Sequence, residues 1–426
     1  MRSLCVWWSA RLVGELTQDR EGRTRFRYDS SWLGDEMAPS ISCSLPKRPE
    51  RFSSRECLPF FGGLLPESRQ REMVGRVLGV SAANDFALLD RLGGDVAGAL
   101  QILPPGIAPE PESDTHPGAY PDEDALARMI DELETRPLLA GKGELRLSLA
   151  GVQSKLPVVV DENGVGLPGR RQASTHILKP PIREFLGTTE NEALVMRLAR
   201  AMCETDDSTQ RVAPVEIRSA AGRGYLLVER YDRVRDRSGI VRRLHQEDFC
   251  QALGVPSDLK YAAEGGPNLK RCFALVRGVA TRPGVDVLRL IDAVIFNAIV
   301  GNADAHGKNF SLLYTGNATS LAPLYDLLST VAYPELSPSF AMKIGGASTL
   351  QALGPAAWER FAREAEVGLP LVRRRVEEMG EKLLDRVAAT RSEFDLTGVD
   401  QRWIDTLVAS LVERAKLCLR NARAAG

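Results

Sequence analysis

IVGNADAHGKNFSLLY, residues 299–314, carries an Asp and an Asn five positions apart, Asp304 and Asn309, and then runs into an apolar, strand-like segment. Phosphoryl transfer in kinase-like folds uses such a pair. The Asp orients the attacking hydroxyl and accepts its proton, and the Asn holds Mg²⁺ on the nucleotide phosphates. A further carboxylate, Asp326 in LAPLYDLLS (321–329), stands where a second metal ligand is needed. Taken alone, D-x-x-x-x-N is a weak signal. Asp and Asn are both common in turns, and a capped loop between a helix and a strand has the same letters. The reading therefore depends on what else the chain carries, and in which order.

The chain has 426 residues, enough for two or three packed units; it is 44% hydrophobic and has a net charge of −1. That balance gives no global basic footprint for nucleic acid, although a local basic face is compatible with it. Seven cysteines (Cys5, Cys43, Cys57, Cys203, Cys250, Cys272 and Cys418) are scattered without a C-x-x-C. This is neither a disulfide framework nor a zinc site, and it fits a reducing cytoplasm. The opening MRSLCVWWSARLVGEL holds an apolar patch of about five residues, too short for a signal peptide. No run approaches the roughly 18–20 apolar residues of a membrane span. The expectation is a cytoplasmic protein with no membrane segment.

Along the chain, residues 1–103 read as a mixed α/β unit, with strands expected at Leu4–Glu15 and Thr24–Tyr28 and helices at Arg69–Leu78 and Asn84–Leu92. The stretch 104–124 is rich in proline and acids and lacks an apolar period, so it reads as an exposed connector. A helix is expected over Asp122–Leu133, with acids in its first turn. Residues 125–245 are strand-rich (Leu156–Val160, His176–Lys179, Val215–Ile217, Tyr225–Tyr231), interrupted by one helix, Thr189–Cys203. From 246 to 426 helices dominate: Val287–Val300, Pro355–Glu366, Leu371–Ala389 and Arg402–Arg420. A strand-rich lobe followed by a helical lobe gives an α+β, protein-kinase-like two-lobe fold with an added N-terminal subdomain.

Three segments fit that layout in kinase order. Ala150-Gly151-Val152-Gln153-Ser154-Lys155, preceded by Ser148, is rich in small residues that let backbone N–H groups approach phosphate. It matches neither the P-loop nor the G-x-G-x-x-G pattern, and a hairpin start with an incidental Gly explains it as well. Lys179 ends a strand, as a phosphate-contacting lysine does, and Glu190 or Glu192 on the following helix offers a carboxylate to position it. Each is equally at home as an exposed strand end or as an acid at a helix N-terminus. Tyr225–Asp232 falls where a hinge would pair with adenine through Glu229 and Tyr231, although a buried core strand has the same letters. His306 reads as structural rather than chemical. The four histidines form no metal motif, and there is no G-x-S-x-G nucleophile elbow.

Together, RLSLAGVQSKLPVVV, STHILKPP, NEALVMRLAR, YLLVERYDR, LHQEDFCQALG, IVGNADAHGKNFSLLY and APLYDLLS resemble the successive blocks of the HipA family. These are the serine/threonine-kinase toxins of bacterial type II toxin–antitoxin modules. VWWSARLVGEL, FFGGLLPES and LLDRLGGDVAGAL are similar to its N-terminal blocks, so the resemblance covers nearly the whole chain. It implies ATP and Mg²⁺ as cofactors and Asp304 as catalytic base, with Asn309 and Asp326 as metal ligands. It also implies Lys179 on the phosphates, Glu229 and Tyr231 at the adenine, and Ala150–Lys155 as the phosphate loop. Ser148 aligns with the serine that such kinases autophosphorylate to inactivate themselves. Ser154 departs from the acidic residue expected in that loop. The implied partners are a HipB-like helix-turn-helix antitoxin, operator DNA through that antitoxin, and a protein substrate, an aminoacyl-tRNA synthetase such as glutamyl-tRNA synthetase. Growth arrest and persistence would follow from blocked charging. Arg373-Arg374-Arg375 suggests a phosphate contact, although a solvated helix face is the plainer reading. Two other readings stay open: a small-molecule phosphotransferase, and a catalytically silent corepressor.

Overall fold

Leu4 and Val6 on one strand and Val13 and Leu16 on the next place their side chains in a common core. Leu4 and Val6 keep the period of two of a half-buried strand, whereas Val13 and Leu16, three apart, fall where the register shifts between Val6 and Trp7. The expected strand Leu4–Glu15 is two antiparallel strands, β1 (Arg2–Trp8) and β2 (Arg11–Gln18). The chain reverses at Ser9, whose φ is +54°, a turn that the unbroken apolar pattern conceals. With β3 (Thr24–Tyr28) and β4 (Leu100–Leu103) they form a sheet in the order β3-β2-β1-β4. Phe26, Phe52, Phe60 and Phe61 fill its core. The helix Ser54–Gly62, which contains Pro59 and was not expected, supplies Phe60 and Phe61.

The computed structural model describes residues 1–110, 119–141, 146–169, 172–203, 210–394 and 400–423. Of the connector 104–124, residues 111–118 lie outside the described residues. Contacts divide the chain into two compact units. One comprises Met1–Pro180, Arg218–Asp258 and Leu313–Asn317; the other comprises Pro181–Ile217, Leu259–Leu312 and Ala318–Gly426.

The first unit also holds β5 (Leu156–Asp161), β6 (Gly164–Gly166), β7 (His176–Lys179) and β9 (Arg223–Glu229), with the end of β8 (Val215–Ala220) from Arg218 onward at the edge, in the order β6-β5-β7-β9-β8. The central pairings are antiparallel, with Leu156 opposite Leu178, His176 opposite Glu229 and Lys179 opposite Leu226. Leu126 and Ile130, from the helix Glu123–Glu132, pack into this sheet's core. Asp122 caps that helix by accepting from Ala125 N at 2.7 Å.

The second unit is built from the helices Thr188–Cys203, Leu269–Val279, Pro283–Val300, Pro355–Glu364, Leu369–Ser392 and Gln401–Arg423. Leu269–Val279, capped by Asn268, was not expected. Pro283 opens the helix Pro283–Val300 at a position where its missing N–H is no loss. From Leu290 onward that helix is buried almost all round, as a central helix must be. It stops at Gly301, whose φ is +77° and where a Cβ would lie 2.3 Å from Val331 Cγ2. Arg414 donates to the carbonyls of Ile299 and Ala298 at 2.9 and 2.8 Å, satisfying groups that a helix end leaves open. Arg375 is turned inward onto Asp292 and Glu378, whereas Arg374 stays exposed. Among the described residues, no helix is long and apolar enough to cross a membrane.

Candidate active site

The chain leaves Gly301 directly into the segment that holds Asp304. Thr330 Oγ1 accepts from Ala303 N at 2.8 Å and donates to Gly301 O at 3.0 Å. Asn302 Nδ2 donates to Asn297 Oδ1 at 2.8 Å, and Asn302 Oδ1 accepts from Asp304 N at 3.2 Å. These bonds fix the backbone that leads into Asp304 while its side chain stays exposed. Such a group, on a rigid mount and open to solvent, has what a general base needs. His306 is buried, with its ring edge-on to Tyr261 at 5.3 Å between centroids.

Asn309 and Asp326 meet. Asn309 Nδ2 donates to Asp326 Oδ2 at 3.0 Å. Asn309 Oδ1 is buried with no hydrogen-bond partner among the described residues. An orphaned amide oxygen beside a carboxylate is a donor set for a hard cation, and two protein oxygens suffice where phosphate and water complete the shell. The residues therefore fit Mg²⁺. Asp326 has φ +57°, a left-handed conformation costing of order 1–3 kcal/mol, of the kind that persists where surrounding structure enforces it. On one side, Leu324 exchanges backbone bonds with Arg211 and Ala213. On the other, Asn191 clamps Ser329, accepting from its N–H at 2.8 Å and donating to its carbonyl at 2.9 Å. Tyr325 donates to Lys308 O at 2.7 Å, which joins the segments that carry Asn309 and Asp326.

Ser148 is fully buried; its hydroxyl donates to Leu64 O at 2.7 Å and its N–H to Asp95 O at 2.9 Å. The following loop is docked on the segment 66–70. Gly151 O accepts from Glu67 N at 3.2 Å, and Gln70 Nε2 donates to Ser154 Oγ at 3.0 Å. Gly151 has φ +117°, and a Cβ there would lie 2.6 Å from Lys155 Nζ. Lys155 donates to Ala150 O, curling the loop on itself. Gln153 Nε2 reaches Pro180 O at 3.2 Å, next to Lys179. Val152 is left exposed.

Lys179 is buried at the end of β7 in the first unit; Glu192 is buried on the helix Thr188–Cys203 in the second. Glu229 ends β9 with its side chain exposed. Tyr231 donates its hydroxyl to Gln246 at 2.7 Å. The residues that alternate with them, Arg230 and Asp232, point the other way, into a buried ionic cluster that the sequence reading missed. Asp95 bonds to Arg233 at 2.9 Å, Arg243 at 3.3 Å and Ser174 at 2.6 Å. Arg230 grips Asp232 through two bonds, at 2.9 and 2.8 Å, and Gly98 N donates to Asp232 at 2.7 Å. Burial alone would push Asp95 up, but Arg233, Arg243 and Arg230 outweigh it and hold its carboxyl well below the usual range. The cluster ties GGDVAG (93–98) of the N-terminal region to the strand end that carries Glu229 and Tyr231. Its signal in the sequence was the density of Arg and Asp in ERYDR (229–233), legible only once a partner Asp is placed opposite.

The HipA N-terminal domain model matches residues 4–103, and the HipA-like C-terminal domain model matches residues 147–391. The Sinorhizobium fredii protein named "Putative kinase Y4mE" is 57% identical over 98% of both chains. The serine/threonine-protein kinase toxin HipA of Shewanella oneidensis is 31% identical, covering 78% of this chain and 76% of its own. A solved structure of the Shewanella oneidensis HipA, HipB and operator DNA complex superposes with a TM-score of 0.85 at 26% identity over 99% of both chains. The α+β fold is thus the protein-kinase-like fold of HipA, and this chain belongs to the HipA family.

Proposed function

We propose that the chain is a serine/threonine-protein kinase toxin that transfers the γ-phosphoryl of ATP to a serine of a protein substrate. The observation that carries the reading is the Asn309–Asp326 pair with its orphaned amide oxygen, five residues after an exposed Asp304 on a fixed loop. Asp304 orients the attacking hydroxyl and takes its proton as the new P–O bond forms; the bond to the ADP oxygen breaks and ADP leaves. Asn309 and Asp326 hold Mg²⁺, which offsets charge on the phosphates. Lys179 and the loop Ala150–Lys155 bind the phosphates, and the chain at Glu229 and Tyr231 binds the adenine.

Ser148 is the self-inactivation site of this reading. Its hydroxyl is buried against a carbonyl, so the loop must undock before the serine can react. Phosphorylation then removes the proton donated to Leu64 O and adds roughly −1.5 to −2 charges, which that pocket cannot solvate. The loop stays out, and nucleotide binding is lost. The Shewanella relative's complex with HipB and operator DNA supports a HipB-like antitoxin as partner, with operator contact made through it. The substrate class is an aminoacyl-tRNA synthetase, glutamyl-tRNA synthetase being the first to test. Its modification would stop translation in the bacterial cytoplasm and promote persistence.

The test is a Mg-ATP autokinase assay on the purified chain beside Asp304→Asn, with phosphosite mapping. Phosphate on Ser148 in the wild type alone is expected. An unphosphorylated wild type that incorporates none overturns the reading.

A further inference from the structure

The Tyr261 hydroxyl donates to Asp304 Oδ1 at 2.8 Å. An Asp on an exposed loop has several staggered rotamers open to it, and only some present an oxygen to an incoming hydroxyl. A fixed donor on one carboxylate oxygen selects among them before substrate arrives, and attack needs only the other oxygen. We propose that Tyr261 is the positioning residue of the base: it acts on the transfer step by holding Asp304 in the rotamer that receives the acceptor's proton. This rests on the kinase reading.

Tyr261 is itself held in a way that a surface filler would not require. Its carbonyl accepts from both Glu264 N and Gly266 N at 3.0 Å. That turn can close only on glycine, because a Cβ on Gly266 would lie 2.2 Å from Leu259 O. Its ring meets His306 edge-on, and the Lys260 ammonium lies 5.5 Å from the ring centroid. The same turn is tied to the catalytic segment through one residue. Ala262 N donates to Ala341 O at 3.3 Å, and Ala341 N donates to Ala303 O at 2.7 Å. Donor and base thus sit on one hydrogen-bonded frame, so their separation is set by backbone. The competing role for this hydroxyl is autoinhibition, in which it occupies the acceptor's place on the base; the two roles predict opposite signs.

The experiment compares wild type, Tyr261→Phe and Asp304→Asn in Mg-ATP autophosphorylation, measuring the rate against ATP concentration, with a thermal melt of each. Phe keeps the ring against His306 and removes only the hydroxyl. The expected result is a roughly tenfold lower rate at saturating ATP, the effect of losing about one hydrogen bond. The half-saturating ATP concentration and the melting midpoint should not change, which a packing role would not produce. A Tyr261→Phe rate equal to wild type overturns the proposal and leaves the kinase reading standing. A faster rate overturns it in favour of autoinhibition. An inert wild type overturns the kinase reading and this proposal with it.

Discussion

Asn309 gives its amide N–H₂ to Asp326 at 3.0 Å and leaves its buried Oδ1 with no hydrogen-bond partner among the described residues. A structural pair would satisfy both ends of the amide, because an unmade buried bond costs about 1–3 kcal/mol. If the oxygen is kept for a cation, Asp326→Asn should fold normally, since Asn also tolerates the left-handed conformation at this position. It should lose the Mg²⁺-dependent part of the ATP-induced thermal shift. In the wild type, ligand at about 100 times its Kd adds roughly 2.7 kcal/mol, and EDTA should remove most of it. An Asp326→Asn melt that responds to Mg-ATP like wild type would take the metal off this pair.

Ser148 is a second place where burial makes a sharp statement. Ser148→Ala leaves Leu64 O without its donor, and a loss of about 1 kcal/mol is expected in urea unfolding, together with loss of the Ser148 phosphopeptide. Ser148→Glu puts a carboxylate against that carbonyl and should undock the loop. Arg146 and Lys155, both engaged in the docked form, would then become tryptic sites. Rapid cleavage at these residues in Ser148→Glu, and not in wild type, is the expected readout. Equal protection in both would mean that charge at this position does not release the loop.

The sequence placed the segment that holds Asp304 and Asn309 because its pattern is local: a buried helix, then a stop at Gly301. Strand and helix positions near the site also follow local pattern, with His176–Lys179 found as expected and Thr188–Cys203 within one residue. What the sequence did not carry is pairing across long separations. Asp95 meets Arg233 from 138 positions away, and Asn191 clamps Ser329 from the same distance; no local spacing links the members of either pair. The docking of Ser148 on Leu64 is of the same kind. The β1–β2 turn was missed for a different reason: apolar alternation runs on through Ser9, so nothing in the period marks the reversal.

The Asp95 cluster leads to a stability prediction. With Asp95 gone, the buried Arg230 and Arg233 share one carboxylate of the cluster, Asp232. Breaking a buried pair by removing one partner costs about 3–5 kcal/mol, most of it from the charge left behind. Asp95→Ala should therefore destabilise the chain by that order in urea and weaken ATP binding through the strand end at Glu229. The pH dependence has a defined sign. The folded carboxyl lies below its ordinary value of 3.8, so its stabilisation is full above that value and is lost as pH falls through the lower, folded one. A mutant within about 0.5 kcal/mol of wild type would show that the cluster is solvated in solution.

His245 gives the counterpart at milder pH. It is buried against Trp8, at 4.5 Å between centroids, with Nε2 2.8 Å from Ile41 O, and burial pushes its pKa down to about 4 from 6.5. Below about pH 6.5 the unfolded chain takes up a proton that the folded chain refuses until about pH 4, so stability falls across that window. The slope reaches at most about 1.4 kcal/mol per pH unit, roughly 3 kcal/mol in all. Glu247 works in the opposite direction. Burial raises it, while Ser42, Tyr314 and Cys43 N all donate to it, so the folded state takes up its proton first and gains stability as pH falls. The two contributions overlap in a wild-type profile, and only a difference isolates His245. In His245→Gln, a side-chain amide can still donate to Ile41 O, and nothing titrates there. The stability difference between wild type and this variant should be constant above pH 7. Between pH 6.5 and 4 it should shift in the variant's favour by roughly 3 kcal/mol. A difference that stays flat across the window would place His245 in contact with water and charged at mild acid.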